Sequence, residues 1–174
     1  MSTKYLLTGV TGGLGAKILD DMLHRHGVTP SDIIATSRSE SKRQEYESQG
    51  VLFRVADYDR PDTLEAAFNN VANLLFMSSS ERDNVKRNQE HSNVIDAAKK
   101  MKVNKVWYVS LAFGGFGDGS KIGFQQAHYE TENQLKRYAA GFYLIIQLLI
   151  KPTAQALTSY LCVLVSTQMP FHSS

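Results

Sequence analysis

The sequence predicts an α/β fold built on a doubly wound parallel sheet, and three observations carry the prediction. A glycine-rich turn at residues 8–15, TGVTGGLG, joins an apolar run to an amphipathic stretch. Short apolar runs then alternate with helical stretches as far as residue 150. No fixed-period repeat or low-complexity segment interrupts the series. Parallel strands need crossover connections, and right-handed crossovers lay helices on both faces of the sheet.

The elements follow in chain order. KYLLTGV is a strand ending in glycine, and LGAKILDDMLHRHG places Ile18, Leu19, Met22, Leu23 and His26 on one helical face, closed by Gly27. DIIATSR repeats the strand signal, SESKRQEYESQG reads as a polar helix stopped by Gly50, and VLFRVADY is a third strand. Pro61 suits the first turn of the next helix, whose inward face is Leu64, Ala67, Phe68 and Val71. NLLFMSSS is a fourth strand, and a long helix through NQEHSNVIDAAKKM buries Val94, Ile95, Ala98 and Met101. KVWYVS makes a fifth strand with Ser110 at its end. A glycine-rich loop from Gly114 to Gln126 leads to a helix over roughly 128–140, and FYLIIQLLI is a sixth strand. The architecture is of Rossmann type, with one domain over residues 1–150 and an atypical apolar tail over 151–174.

Composition narrows the functional classes. With 174 residues, 43% hydrophobic and 21% charged, the chain is one ordinary globular domain. A net charge of +2 with scattered Lys and Arg supplies no basic stripe, which disfavours nucleic acid as a partner. The single cysteine, Cys162, excludes an internal disulfide framework, and together with an N-terminus that does not read as a signal peptide it suits the cytoplasm. The five histidines show no metal-ligand spacing, so no metal is expected. The tail after Pro152 has no Asp, Glu, Lys or Arg. Lys151 and Pro152 interrupt the apolar stretch there, and neither half reaches the roughly 20 apolar residues of a spanning helix.

The glycines carry the chemistry. Where a parallel strand hands over to a helix, unpaired N–H groups and the positive end of the helix dipole face outward and favour a phosphate. Gly9 permits the tight turn, Gly12 lets the backbone approach a pyrophosphate, and Gly15 lets the helix pack on the strand. The strand–turn–helix context favours a dinucleotide site, the alternative being a plain packing turn. At the end of the second strand stand Ser37 and Arg38 with no acid, and Lys42 and Arg43 follow. An arginine there pairs with a 2′-phosphate, so NADP(H) is favoured over NAD(H), the alternative being a solvated basic turn. Asp57 closes the third strand and can accept from an adenine amino group. Ser78 to Ser80 close the fourth, where ligands of such sheets bind. A turn role for each is equally open.

TGVTGGLG, TSR, VADYDRPDTLEAAF, LLFMSSSE, NVIDAAKKMKVNKVWYVSLA and HYETE, in this order and over about residues 3–140, resemble the NmrA-like branch of the atypical short-chain dehydrogenases, most closely its NAD(P)H:quinone oxidoreductases. The resemblance implies NADP(H) held by Gly9, Thr11, Gly12, Gly13, Leu14 and Arg38, with contacts from Asp57, Ser78 and Ser79. It implies hydride transfer to a quinone-like small molecule or, as in other members of the branch, a non-catalytic redox sensor whose partner is a regulatory protein such as a transcription factor. None of the eight tyrosines has a lysine four residues on, so the Tyr–Lys pair that protonates a carbonyl in other short-chain dehydrogenases is missing. Tyr129, for example, is followed by Asn133. Quinone reduction asks less of the protein, and no catalytic side chain is assigned. The resemblance puts His128 and Tyr129 near the substrate; His128 can donate to a quinone oxygen, while the plainer reading is a helix-start histidine that caps and packs. Relatives of this type continue into a smaller lobe that covers the substrate. The present tail replaces it, so the resemblance implies a missing C-terminal lobe and an uncovered apolar surface that favours a homo-oligomer.

Overall fold

The structure, a computed structural model, describes residues 4–111, 122–138, 142–147 and 165–166. Among them the elements run β1 (Tyr5–Leu7), α1 (Gly13–His24), β2 (Ile33–Ser37), α2 (Arg43–Glu47), β3 (Leu52–Val55), α3 (Pro61–Phe68), β4 (Asn73–Met77), α4 (Asn84–Lys100), β5 (Lys105–Leu111), α5 (Gly123–Tyr138), β6 (Phe142–Gln147) and β7 (Val165–Ser166). The sheet order is β3-β2-β1-β4-β5-β6-β7, with every pair parallel except β6 with β7. The strand order reverses beside β1: β2 lies on one side of it and β4 on the other. Ligands of open α/β sheets bind at such a switch point, outside the carboxyl ends of the strands.

Neighbouring residues along a strand point to opposite faces, and the core divides accordingly. Leu6, Ile34, Leu74, Phe76 and Tyr108 face α3, α4 and α5, where Leu64, Phe68, Val94, Ile95, Ala98 and Leu135 complete one buried cluster. Leu7, Ile33, Ala35, Leu75 and Val109 point the other way, into a second cluster with Leu19 of α1 and Tyr46 of α2. Two clusters on the two faces of one parallel sheet are the doubly wound arrangement the sequence predicts.

Several boundaries differ from the sequence reading. His26 lies beyond the end of α1 and is exposed, although Gly27 at φ +60° does turn the chain. The polar helix before Gly50 is one 3₁₀ turn, Glu40–Lys42, followed by the five residues of α2. Val71 is buried but follows α3, while Met101 is half-buried against the first cluster. The last helix, α5, starts at Gly123, ahead of the expected 128. Most of the glycine-rich loop and most of the tail lie outside the described residues, but Val165 and Ser166 pair antiparallel with Leu144 and Tyr143. Among the described residues no helix is long and apolar enough to cross a membrane, and no cluster of His, Cys, Asp and Glu could hold a metal ion.

Candidate functional site

The turn after β1 is built as its glycines require. Gly9 adopts φ +68°, a conformation that side chains disfavour, and a Cβ there would lie 2.7 Å from Cβ of Met77. A Cβ on Gly15 would collide with the carbonyl oxygen of Gly9, so this glycine allows α1 to sit directly on the turn. Gly12 is the N-cap of α1, in extended backbone, with no side-chain cap and no acidic residue in the first helical turn. A Cβ on Gly12 would have only the Gly9 carbonyl oxygen near it, at 3.4 Å, and one on Gly13 would meet nothing within 4 Å. The N–H groups of Gly13 and Leu14, in the first turn of α1, have no hydrogen-bond partner among the described residues. A pyrophosphate fits this cradle, since it is small, anionic and rich in acceptors. Thr11 and Gly13 are exposed at its rim, and Leu14 is half-buried against the second core cluster.

The floor of the crevice is tied across three strands. Thr8 is buried; its N–H and its hydroxyl both donate to the Leu75 carbonyl, at 3.0 and 3.2 Å. Thr8 Oγ1 in turn accepts from the Met77 N–H at 2.9 Å. The Tyr58 hydroxyl reaches Thr8 Oγ1 at 2.7 Å and the Met77 carbonyl at 2.8 Å, which joins the turn after β3 to the ends of β1 and β4. Burial raises the Tyr58 pKa, so the phenol stays a donor. Asp57, one residue earlier, accepts the Asp59 N–H on Oδ1 at 3.1 Å, so half of its carboxylate already shapes the turn.

Arg38 stands just past β2, exposed, with no hydrogen bond or ion pair among the described residues. The other two cations differ. Arg43 folds back between Glu40 and Glu47, donates to the Phe53 carbonyl at 3.2 Å and lies 5.0 Å from the centre of the Phe53 ring. Lys42 pairs with Glu45 at 2.8 Å. Of the three, Arg38 alone offers an uncommitted charge at the strand end.

Ser78 and Ser79 open a cleft of about 490 Å³ at the carboxyl ends of β4 and β5, lined also by Arg82, Asn84, Arg87, Ser110 and His128. That volume suits a small ring system. Two buried histidines organise its wall. His91 Nε2 accepts the Ser79 N–H at 2.9 Å, so the neutral ring carries its proton on Nδ1 and gives it to Thr131 Oγ1 at 2.7 Å, which itself donates to the Ala127 carbonyl. Ser79 Oγ donates to the buried Glu90 and accepts the Glu81 N–H at 3.0 Å. On the β5 side, Ser110 gives its proton to the buried Glu132 at 2.6 Å, leaving Tyr108 as the donor to His128 Nδ1 at 2.7 Å. This pattern assigns the His128 proton to Nε2, the donor it has left to offer to the cleft it lines. Desolvation first, and the Arg87 charge after it, lower the His128 pKa to about 4; desolvation, His128 and Arg87 together lower that of His91 to about 3. Both rings are neutral near pH 7.

The sequence-predicted residues thus share the carboxyl edge of the sheet, in two groups. Gly9 to Leu14 with Arg38 and Asp57 lie around β1, β2 and β3, and Ser78, Ser79 and His128 lie around the cleft. His128 is a buried cleft residue and not merely a helix-start cap, whereas Tyr129 is half-buried and does not line the cleft. Sequence reasoning missed Tyr58, Glu90, His91, Tyr108 and Glu132. A signal existed for His91: it continues the stripe of Val94, Ile95 and Ala98 at helical spacing, and a polar residue on an apolar stripe needs a buried partner.

The sequence signature of an NAD(P)H-binding family matches residues 9–147, most of the chain. The chain belongs to that family. It is 43% identical over 141 residues to an NmrA-like family domain-containing oxidoreductase of Aspergillus flavus, covering 80% of this chain and 45% of that one. It is 37% identical over 129 residues to quinone oxidoreductase 2 of Escherichia coli, covering 74% of this chain and 43% of that one. Among solved structures, the Citrobacter triphenylmethane reductase complexed with NADP(H) superposes with a TM-score of 0.73 at 31% identity, over 82% of this chain and 48% of that one. The E. coli NADPH-dependent quinone oxidoreductase complexed with NADPH superposes with a TM-score of 0.68 at 34% identity, over 82% and 47%. This NAD(P)H-binding chain therefore spans about half the length of the relatives it matches.

Proposed function

We propose that the protein binds NADP(H) along the carboxyl edge of its sheet and reduces a quinone in the cleft beside Ser78 and His128. One observation carries the proposal: an uncapped, glycine-walled helix N-terminus stands beside a cleft whose histidine has its donor fixed from behind. The N–H groups of Gly13 and Leu14 and the backbone at Thr11 and Gly12 receive the pyrophosphate, and Arg38 pairs with the 2′-phosphate. Asp57 keeps one carboxylate oxygen for the adenine, and Ser78 and Ser79 lie along the nicotinamide end. When bound, the reduced nicotinamide supplies a hydride.

His128 contributes a hydrogen bond rather than a proton. Its Nε2–H meets the quinone oxygen on which negative charge grows, and a neutral imidazole is too weak an acid to ionise against a hydroquinone. Passing the proton on would also leave Tyr108 as a buried phenolate, which its surroundings disfavour. The proton that completes the hydroquinone comes from water in the open cleft. This chemistry needs no Tyr–Lys pair, which explains how the chain dispenses with one. A cytoplasmic location suits the single cysteine and the dependence on NADPH.

Two measurements test the reading. Calorimetric titration of the 174-residue chain should show tighter binding of NADPH than of NADH, and Arg38→Ala should weaken NADPH by about tenfold while sparing NADH. NADPH oxidation with 2-methyl-1,4-naphthoquinone should then fall about a hundredfold in His128→Phe at unchanged NADPH affinity. Saturable binding without turnover would refute the enzyme reading and leave the cofactor sensor with a protein partner.

A further inference from the structure

Among the described residues, the cleft beside β4 and β5 is lined by two arginines, Arg82 and Arg87, and by no aspartate or glutamate. Arg82 is exposed, and its guanidinium has no hydrogen bond or ion pair among the described residues. Arg87 gives one nitrogen to the Glu81 carbonyl, while its Nε is buried without a hydrogen-bond partner. The described carboxylates nearby are committed elsewhere. Glu81 takes the N–H groups of Arg82 and Asp83 and pairs with Lys86 at 3.3 Å, and Asp83 caps α4 through the Lys86 N–H at 2.8 Å. Glu90 is covered by Ser79 and Glu132 by Ser110. Lys86 is balanced by Asp59 as well as Glu81, so it adds no free charge. Both long helices also begin at this wall, α4 at Asn84 and α5 at Gly123. Among the described residues the cleft therefore holds two arginines, the start of α5 and the His128 donor, while the start of α4 is answered by Asp83 and no carboxylate lines the cleft itself.

A neutral quinone needs one donor on its reduced oxygen, and His128 provides it. Two further guanidinium groups are more than that reaction requires. An unpartnered cationic donor beside an apolar wall of Met77, Val109, Leu111 and Phe124 suits a flat ring that carries its own negative oxygen. We infer that the cleft selects an acidic aromatic acceptor, a quinone bearing an ionised ring hydroxyl or a carboxylate, with Arg82 reading the anionic group. The inference rests on the quinone-reductase reading and adds the substrate class to it. The nicotinamide delivers a hydride, water delivers one proton and the quinone gains two electrons; a carboxylate substituent keeps its charge, whereas an ionised ring hydroxyl, no longer conjugated to a carbonyl once the ring is reduced, takes a second proton from water.

The test uses a matched pair of acceptors and an unreactive anion. 2-Hydroxy-1,4-naphthoquinone is ionised at pH 7, and 2-methyl-1,4-naphthoquinone has nearly the same shape without charge. Arg82→Gln should lower the ratio of kcat/KM for the hydroxy over the methyl compound by about tenfold, the scale of one charge-assisted hydrogen bond. 1-Hydroxy-2-naphthoate, which accepts no hydride, should bind the wild-type chain at least about tenfold more tightly than 2-naphthol, and Arg82→Gln should erase that difference. Arg82 is exposed and unpartnered, so this variant leaves the folded core intact. An unchanged ratio together with unchanged naphthoate affinity would overturn the inference while leaving the oxidoreductase reading in place. Loss of NADPH affinity in Arg82→Gln equal to the loss of naphthoate affinity would assign the arginine to the cofactor and overturn it too. If neither quinone is turned over but naphthoate binding still depends on Arg82, the anion site stands and the oxidoreductase reading falls.

Discussion

Replacing Gly12 by alanine separates the cradle's fold from its function. Gly12 has an extended backbone at φ −99° that alanine adopts freely, and the added methyl meets only the Gly9 carbonyl oxygen, at 3.4 Å. Glycine is a better N-cap than alanine, so the exchange costs about 0.5–1 kcal/mol, about 1–4 °C in Tm for a chain of this size. On the proposed cofactor placement, the same methyl projects towards the phosphates. Losing one charge-assisted hydrogen bond from the pyrophosphate raises Kd by about tenfold or more. The assay is a thermal melt with and without NADPH. At a concentration of about 100 times the wild-type Kd, NADPH adds about 2.7 kcal/mol to wild type, but only about 1.4 kcal/mol to a variant bound tenfold more weakly. The NADPH-induced rise in Tm should therefore be halved in Gly12→Ala, each protein measured from its own ligand-free melt. An equal rise in the two proteins would refute the placement of the phosphates at α1.

Other outcomes follow from the same geometry. Gly15→Ala should lower the ligand-free Tm by several degrees, from about 1–3 kcal/mol of strain, because its methyl meets the backbone of Gly9 and Val10 and neither can move aside easily. Acid should destabilise the fold through His91 and His128. Their folded pKa values, about 3 and 4, lie below the unfolded value near 6.5, so the unfolded chain binds protons first as pH falls. Stability is full above pH 6.5 and declines from there towards pH 4, by up to about 1.4 kcal/mol per pH unit for each ring. Urea melts at pH 7 and pH 5 should show the loss, and His91→Asn should remove about half of it; an unaltered slope in that variant would contradict the buried neutral ring. Arg43→Ala should cost stability but leave the NADPH preference over NADH intact, because its guanidinium is spent on Glu40, Glu47 and Phe53.

Much of the scaffold was legible because its requirements are local. Gly9 must be glycine for a positive φ, Gly15 for close packing, and Pro61 begins a helix because its missing N–H is not needed there. The alternation of strand residues between the two faces follows from the period of two. The start of α5 was not legible, because Gly123 and the polar residues after it resemble the loop before them, and only packing against α4 and β5 makes them helical. Charge gave a partly false signal after β2. Arg38 and Arg43 look alike in sequence, and only the positions of Glu40, Glu47 and Phe53 show which one is free. The cleft wall was hidden for a related reason: Glu90, His91 and Glu132 are charged or polar types usually left outside, and they become interior only because Ser79, Thr131 and Ser110 meet them there.

The knot of Thr8, Tyr58 and Met77 has a consequence in time as well as in space. It binds the two halves of the sheet together at their switch point, so the crevice cannot widen without breaking several partly buried hydrogen bonds at once. The amide protons of Thr8 and Met77 should therefore exchange with solvent only as fast as the whole domain opens, while those at the tip of α1 exchange rapidly until a ligand arrives. The waiting site is then a stiff jaw with a soft lip, and ligand capture is governed by diffusion to the lip, with no slow opening of the jaw beforehand.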